Sequence, residues 1–458
     1  MLRWPVLALV LALAAMPAGV ARAAGDQTVF VMDGHGQVRA LTDPFLSDGG
    51  DIGPASTDAG ESVAGLSGLG SSSLARGGSP PRSAPRRAVA RPSVRPSASV
   101  PSELRRLRGA GALDEARFAE YEKYWRDARR SLKKLKGSRK RDLAGVLSTA
   151  SEMAADGLIT SARIHDLVLT IRRNADWWQN GPLLTYGKRV RFTGSRLTWQ
   201  YFPGQGIQIH WLGTFARMNN LFLAGGHDPE LRETALEVRQ HAVPRAGGIA
   251  WEYLFRFGGG RPPWVSGLAQ GTGVQALSRA AVRLRQPEFF DVARSALGIF
   301  RTGPPSGVRM RTSAGAHYLA YSYAPGQRIY NAFLQSIIGL HDFSTFANDA
   351  LGRELWHDGE RQARIEIARA DTGSWSQYQP GLASDIGYHK VLRDFARGLC
   401  NRLNTDRQRE AIELRVVFGP AAVLEDLKQW PDPAPYCVAT QNFNRYLYAR
   451  LGLSAPVF

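Results

Sequence analysis

The spacing of apolar side chains predicts a chain that is mostly helical beyond residue 100. From there apolar positions recur every three or four residues with charged positions between them, the pattern of amphipathic helices. One such helix runs from Leu113 to Leu132, and two more precede residue 180. Near Trp199 apolar and polar residues alternate instead, which predicts short strands. Helices at this density predict an α/α arrangement, and periodicity alone leaves a bundle, a solenoid and a closed toroid open.

The first hundred residues have a different character. Residues 1–24 combine an N-terminal Arg3, an apolar run and a small-residue cleavage site, the pattern of a secretory signal peptide. Residues 25–100 are rich in Gly, Ser, Pro and Arg, which predicts a disordered linker. We expect a secreted or envelope-associated protein, with an uncleaved anchor as the alternative. The linker is interpreted as a spacer in preference to a basic tether for the cell surface.

Two domains are expected after the linker, a helical N-terminal region at 101–180 and a larger α/α domain at 181–458. The 458 residues contain 58 basic and 40 acidic side chains, a net charge of +18. This excess favours anionic partners without choosing among nucleic acid, lipid and acidic glycan. No nucleic-acid-reading motif occurs, so nucleic acid is not expected. Oligomeric state is left open.

The cysteine content is low. Cys400 and Cys437 could form one disulfide in an oxidising compartment, or remain two buried thiols. Neither belongs to a cluster with zinc-ligand spacing. We therefore expect no metal site and no other cofactor.

Candidate chemistry is concentrated in four loop-to-helix segments that carry aromatic and polar residues. They cover residues 201–210, 251–271, 321–333 and 373–389. Loops on a rigid scaffold are common positions for functional sites. Aromatic rings beside polar groups suit the faces of sugars.

These segments resemble the C-terminal domain of D-glucuronyl C5-epimerases. The resemblance is carried by Phe257-Gly258-Gly259-Gly260, by Pro263-Trp264-Val265-Ser266-Gly267-Leu268-Ala269-Gln270, and by the Asn331-Ala332-Phe333 helix. It extends from about Trp199 to Leu399. It implies a mainly α fold, an (α/α) toroid with short β-hairpins behind a small helical region, with a glycan cleft at one end. It also implies inversion of carbon 5 of a glucuronate within an acidic polysaccharide.

The resemblance also suggests which residues transfer protons. Tyr323, Tyr378 and Tyr388 match the tyrosines proposed for this role in the family. Three positions depart from the family pattern, because Ser322 replaces a Glu, Gln379 an Asp and Ala332 a Gly. Free tyrosine titrates near pH 10, so a tyrosine base needs a neighbouring cation or donor. As alternatives, Tyr323 could belong to a packed aromatic face with Leu319 and Tyr321, and Tyr378 and Tyr388 could fill a loop.

Further residues are substrate-binding candidates, each with a structural alternative. Trp264 could line the cleft, and Arg328 or His210 could bind the uronate carboxylate. Asn331 could cap a helix, and His389 is more typical of an interior histidine. Glu252 could pair with Arg256 or replace the lost carboxylate, while Gln205 and Gln270 are expected to hydrogen-bond loops.

Four functions follow in order of preference. The first is a C5-epimerase acting on a uronic-acid polymer. A polysaccharide lyase starts from the same proton abstraction, and a non-catalytic relative would bind acidic glycan only. A glycoside hydrolase ranks lower, because it needs two nearby carboxyl groups and Glu252 with Asp385 is the only obvious pair in the loops.

Overall fold

A computed structural model describes residues 27–46, 98–418 and 431–454. The helices are α1 Val100–Gly109, α2 Glu115–Lys134, α3 Gly137–Ala155, α4 Ser161–Asn180, α5 Trp211–Ala224, α6 Asp228–Gln240, α7 Gly267–Leu284, α8 Glu288–Ser295, α9 Gly298–Arg301, α10 Tyr330–Phe346, α11 Ala350–Ala370, α12 Ile386–Phe418 and α13 Ala434–Arg450. The strands are β1 Thr28–Met32, β2 Val38–Thr42, β3 Arg189–Phe192, β4 Trp199–Phe202, β5 Gly206–Ile209, β6 Val243–Arg245, β7 Gly248–Ala250, β8 Arg309–Arg311, β9 Ala316–Tyr318, β10 Gln377–Gln379 and β11 Leu382–Ala383.

The predicted signal peptide, and the part of the linker between residues 47 and 97, lie outside the described residues. Within the described ranges, no helix combines the length and hydropathy needed to cross a bilayer.

Residues 27–46 correct the linker prediction, because they form a β-hairpin that joins a five-stranded sheet. The strand order is β2-β1-β3-β4-β5, with β1 parallel to β3 and the other pairs antiparallel. Val29, Val31 and Met32 are buried in it. The carboxylate of Asp43 then binds Arg217 on α5 at 2.7 Å, which fixes the hairpin to the helical domain. Composition predicted disorder because it averages over the whole segment. It does not register that a short apolar run within the segment pairs with a strand far along the chain.

Helices α1 to α4 pack against one another ahead of β3. The side chains of Ser99, Asp114 and Thr160 accept hydrogen bonds from backbone N–H groups in the first turns of α1, α2 and α4. Helix α4 ends at Asn180. The division into two domains at this point stays a prediction.

The larger domain arranges its helices in two layers. Helices α5, α7, α10 and α12 pack side by side as an inner row, and α6, α8, α11 and α13 pack against them from outside. Glycines allow the closest inner contact, since a Cβ at Gly339 would lie 2.0 Å from the carbonyl oxygen of Gly271. Short β-hairpins connect the layers. The predicted mainly α fold, an (α/α) toroid-type arrangement with short hairpins, is confirmed.

Of the two alternatives that the sequence leaves open for the cysteines, the structure shows the disulfide. Cys400 on α12 bonds to Cys437 on α13, which links an inner helix to its outer neighbour. Deeper between α7, α10 and α12, the Asp342 carboxylate accepts hydrogen bonds from Arg279 and Arg402 at distances from 2.6 to 3.1 Å. These ties hold the inner row together behind the candidate site.

Candidate active site

Five tyrosines from three separate parts of the chain meet beside the inner helices. Tyr321 stacks on Tyr323 with ring centroids 5.4 Å apart, and Tyr378 lies 4.7 Å from Tyr388. The ionisation of Tyr321 is coupled electrostatically to Tyr323, Tyr378, Tyr388 and Tyr186, which places all five phenols in one group. We call these five residues the tyrosine cluster. The three tyrosines singled out from the sequence therefore converge.

Tyr321 and Tyr323 are positioned by a tight turn after β9, in which the backbone N–H of Ala324 donates to the carbonyl of Tyr321 at 3.1 Å. Within this turn the backbone N–H of Ser322 donates to the carbonyl of Val265, and the Val265 N–H donates to the Ser322 hydroxyl at 3.2 Å. Ser322 is buried. The residue that replaces the family Glu thus holds two loops together.

A glycine turn packs directly against Tyr323. Residues Phe257 and Gly260 pair through their backbones, and Gly258 and Gly259 between them adopt φ of +52° and +84°. A Cβ at Gly260 would lie 2.4 Å from the Tyr323 ring. The Gly-Gly-Gly run is therefore required both for the turn and for the close approach of the phenol.

Trp264 supports the cluster from behind. Its ring stacks on Tyr253 at 4.3 Å and meets Tyr323 edge-on at 5.4 Å, while its N–H donates to the carbonyl of Phe255. Trp264 is only 1% exposed. It shapes the wall behind Tyr323 and presents no open face for a sugar ring.

Tyr378 and Tyr388 come from the β10–β11 hairpin and the first turn of α12. The Asp385 carboxylate accepts from the backbone N–H of Tyr388 at 2.7 Å and so caps this helix. A hydrogen bond between the Tyr378 and Tyr388 side chains lowers the pKa of Tyr378, against the larger effect of burial. The start of α12 therefore positions the Tyr388 phenol next to that of Tyr378.

Burial dominates the acid–base properties of the cluster. It raises the pKa of Tyr323 and Tyr378 far above the ordinary value near 10, and that of Tyr321 further still. The Asp385 carboxylate also raises the pKa of Tyr378, whereas the hydrogen bond from Tyr388 lowers it. At neutral pH Tyr321, Tyr323 and Tyr378 are therefore protonated, and the hydrogen bond with Tyr388 favours the ionised form of Tyr378.

A small pocket opens between the cluster and the start of α10. Tyr321, Tyr378, Ile329 and Asn331 are among its lining residues. The Asn331 side chain is buried, and its oxygen has no hydrogen-bond partner among the described residues. Such an atom is costly to leave unsatisfied, and it is explained most simply by a ligand group that donates to it.

Several predicted binding residues have structural partners in place. Both Glu252 oxygens are bound, by Arg163 at 2.6 and 3.0 Å and by Arg245 at 2.6 Å, so Glu252 pairs with neither Arg256 nor a phenol. Gln270 bonds the backbone of Trp251 in both directions, as the sequence suggested. The Gln205 side-chain oxygen accepts from the backbone of Arg256.

The two candidate histidines are interior residues. His210 accepts from the N–H of Gly213 and caps α5. His389 lies 2.7 Å from the Ser376 hydroxyl and 2.9 Å from the carbonyl of Phe443, and it stacks on Trp375. Burial lowers the pKa of His389, so it is neutral at physiological pH. This is the interior role that the sequence favoured for it.

Among the predicted binding residues, Arg328 is the arginine that lies next in sequence to a residue lining the pocket. It precedes Ile329, one of the lining residues, and its guanidinium lies 3.8 Å from Glu366 with about a third of its side chain exposed.

Sequence reasoning missed Tyr186, which belongs to the cluster through tertiary structure. It lies in the loop before β3 and packs edge-on against Phe202 at 5.9 Å. Phe202 in turn contacts Phe257 of the glycine turn at 5.9 Å. The sequence offers one indirect signal, the aromatic Phe202 that precedes Pro203-Gly204-Gln205-Gly206. No local pattern relates Phe202 to residue 186, so Tyr186 is not found from it.

Comparison with known proteins agrees with this geometry. Residues 247–412 match the family model described as D-glucuronyl C5-epimerase C-terminus. A D-glucuronyl C5-epimerase of Caenorhabditis elegans is 32% identical over 130 residues, which are 26% of this chain and 21% of the relative. The chain thus matches about a fifth of that relative's length.

Two solved structures show a more distant similarity. An unsaturated glucuronyl hydrolase specific for heparin aligns over 51% of this chain and 60% of its own, with 11% identity and a TM-score of 0.34. An endo-β-1,4-glucanase from Acetobacter xylinum aligns over 56% and 93%, with 13% identity and a TM-score of 0.33. The family match is the informative one: residues 247–412 of this chain are similar to the D-glucuronyl C5-epimerase C-terminus family.

Proposed function

We propose that this chain is an exported C5-epimerase that removes and returns the proton at C5 of uronic acid residues in an acidic polysaccharide. The observation that carries the proposal is the convergence of Tyr323, Tyr378 and Tyr388 from distant parts of the chain. The match to the epimerase family supports the reaction class. The signal-peptide pattern supports export, and the polymer is assigned only as one that contains uronic acid.

Inversion needs a base on one face of the sugar ring and an acid on the other. We assign the base to Tyr378, because the hydrogen bond from Tyr388 favours its ionised form. Tyr323, whose pKa is raised by burial and by the nearby Tyr378, is protonated and suits the acid. The Tyr378 phenolate takes the C5 proton, the electron pair passes into the carboxylate group, and Tyr323 returns its own proton from the opposite face. Proton exchange with solvent then returns Tyr378 to the phenolate and Tyr323 to the phenol.

The intermediate carries extra negative charge on the substrate carboxylate, so donors near that group lower the barrier. Arg328 is the assigned partner, since about a third of its side chain is exposed and, among the described residues, its ion pair is the long 3.8 Å contact to Glu366. The unpartnered oxygen of Asn331 would accept from a sugar hydroxyl and orient the ring.

Incubation with uronic-acid polymers in heavy water tests the proposal. We expect deuterium at C5 with unchanged chain length, and loss of exchange by at least about a hundredfold in Tyr378→Phe and Tyr323→Phe, because proton transfer by a positioned group contributes about 10²–10⁴-fold. Tyr124→Phe, on α2, is the matched control. Exchange that survives both cluster substitutions would exclude the assigned roles.

A non-catalytic glycan-binding role is the second candidate. It is favoured by the raised pKa of Tyr321, Tyr323 and Tyr378 and by Ser322, which has no carboxylate and whose hydroxyl accepts from the Val265 N–H. It predicts polymer binding with no C5 exchange. A lyase would instead produce the absorbance of an unsaturated uronate and shorten the chains.

A further inference from the structure

A second cluster of reactive side chains lies on the N-terminal helical region and the end of α6. His165 and Asp166 are on α4, and His241 follows the last residue of α6. One potential ligand atom from each lies within 4.8 Å of the others. The two imidazole rings are 5.4 Å apart, and His241 Nδ1 contacts Asp166 Oδ1. We propose that these three residues bind a divalent transition-metal ion of the zinc class.

The ligand set fits that class of ion. Two imidazoles and one carboxylate form a recurrent three-ligand set for Zn²⁺, and the fourth position is then left for water or another ligand. Imidazole ligands disfavour Ca²⁺ and Mg²⁺, which prefer oxygen. A three-residue site of this kind needs no cysteine, so the cysteine-spacing argument from the sequence does not apply to it.

The local charge also favours a cation. Asp166 and Glu237 act electrostatically on His241, and Asp166 and Glu120 act on His165, with Arg117 opposing them. His241 is the C-cap of α6, where the helix dipole is negative. A bound divalent ion would therefore meet the carboxylate of Asp166, the nearby carboxylates of Glu237 and Glu120, and a helix C-terminus.

Access and support are both present. His165 is exposed, and His165 and His241 line a cavity of about 950 Å³, so an ion can enter from solvent. The Tyr121 hydroxyl lies 2.9 Å from His165 Nδ1. A partner on one ring nitrogen fixes the orientation of the ring and leaves the other nitrogen for a metal. The alternative to a metal site is that Asp166 and His241 form only a hydrogen bond with each other, in which case His165 has no function here.

Titration of the full, chelator-treated chain with Zn²⁺ distinguishes a metal site from a simple Asp166–His241 hydrogen bond. We expect one Zn²⁺ per chain in calorimetry, a rise in Tm with zinc, and affinity at least about tenfold weaker in His165→Gln and Asp166→Asn. His165 is exposed, so its substitution leaves folding intact. His35→Gln, another exposed histidine, is the control. Binding that is absent, or equal in wild type and His165→Gln, overturns the site.

Cobalt gives an independent measurement. Co²⁺ bound by these ligands should show the intense visible bands of four coordination, and they should disappear in His165→Gln but persist in His35→Gln. The weak spectrum of hydrated Co²⁺ in the wild type would contradict the proposal. None of these measurements depends on epimerase activity.

Discussion

At the scale of single residues, the behaviour of the cluster depends on how each phenol is solvated. Burial favours the neutral form of every phenol for which a pKa shift is seen, and only specific hydrogen bonds oppose it. Tyr388 supplies such a bond to Tyr378. The small fraction of Tyr378 phenolate at neutral pH should therefore control the rate, and activity should rise with pH.

Tyr388→Phe tests this dependence. Removing the donor raises the pKa of Tyr378 further, so we expect at least about tenfold lower activity near neutral pH and a pH–rate profile displaced to higher pH. The measurement is C5 exchange as a function of pH, with Tyr124→Phe as the control. An unchanged profile would show that the Tyr388 hydroxyl does not act on the base.

Gly260 offers a second test, through packing. An Ala side chain there would overlap the Tyr323 ring, so the phenol must move while the rest of the domain stays folded. Because a displacement of about 1 Å can cost about a hundredfold in rate, we expect C5 exchange to fall by at least tenfold with little loss of Tm. Gly326→Ala is the matched control, since a Cβ at Gly326 meets nothing within 4 Å. Equal activities in the two variants would contradict the placement of Tyr323.

At the scale of elements, ion pairs and one disulfide connect segments that local sequence does not relate. Glu252 joins the loop after β7 to Arg163 on α4 and to Arg245 on β6. All three side chains are largely shielded from water. The connection therefore behaves as a buried ionic network, in which loss of one partner leaves uncompensated charge.

Glu252→Gln should destabilise the protein by about 3–5 kcal/mol, because both arginines lose their carboxylate. Chemical denaturation measures this effect, and exposed Glu354→Gln should be close to neutral. Polymer affinity of the folded fraction should be unchanged. A large loss of affinity without loss of stability would restore Glu252 as a substrate contact.

Because the disulfide attaches the outer helix α13 to α12, we expect the stability of the protein to depend on redox conditions. Cys400 and Cys437 are 37 residues apart, and a cross-link of that loop length contributes about 3–4 kcal/mol in the chain-entropy model. The double substitution Cys400→Ser/Cys437→Ser should lower the free energy of unfolding by that amount, and a reducing agent should destabilise the wild type but not the variant. Equal stability of the wild type with and without reductant would contradict a structural bond.

At the scale of the whole molecule, the inner helical row encloses a charged network. Burial opposes ionisation of Asp342, but Arg402, His341 and Arg279 outweigh it and hold its pKa well below the usual value. A carboxyl with a depressed folded-state pKa stabilises the fold above its unfolded pKa, near 3.9, and this stabilisation is lost as pH falls toward the folded pKa.

The wild type should therefore lose stability on acidification below about pH 4 more steeply than Asp342→Asn. The variant starts from lower stability at neutral pH, because Arg279 and Arg402 remain buried without their carboxylate. Denaturation midpoints measured across this pH range test the linkage, with exposed Asp156→Asn as the control. Parallel curves for the wild type and Asp342→Asn would exclude Asp342 as the source.

Much of this protein is determined by local pattern. Apolar spacing fixes the helices, because burying one helical face requires a three- and four-residue repeat wherever the helix lies. The glycine run before Pro262 and the Trp-x-Ser-Gly motif likewise carry the resemblance to the epimerase family, since turns and caps depend on a few adjacent residues. Two cysteines were enough to suggest the disulfide.

Tertiary structure alone decided which side chains share a site. Residues 27–46 form a hairpin because β1 finds β3 some 160 positions away, and composition cannot register a partner at that distance. Tyr186 belongs to the tyrosine cluster, and Glu252 is bound by two arginines and is not part of the cluster. The reason is the same, since each side chain is placed by contacts with other elements. Proximity of residues distant in sequence depends on the packing of whole elements, which no local pattern encodes.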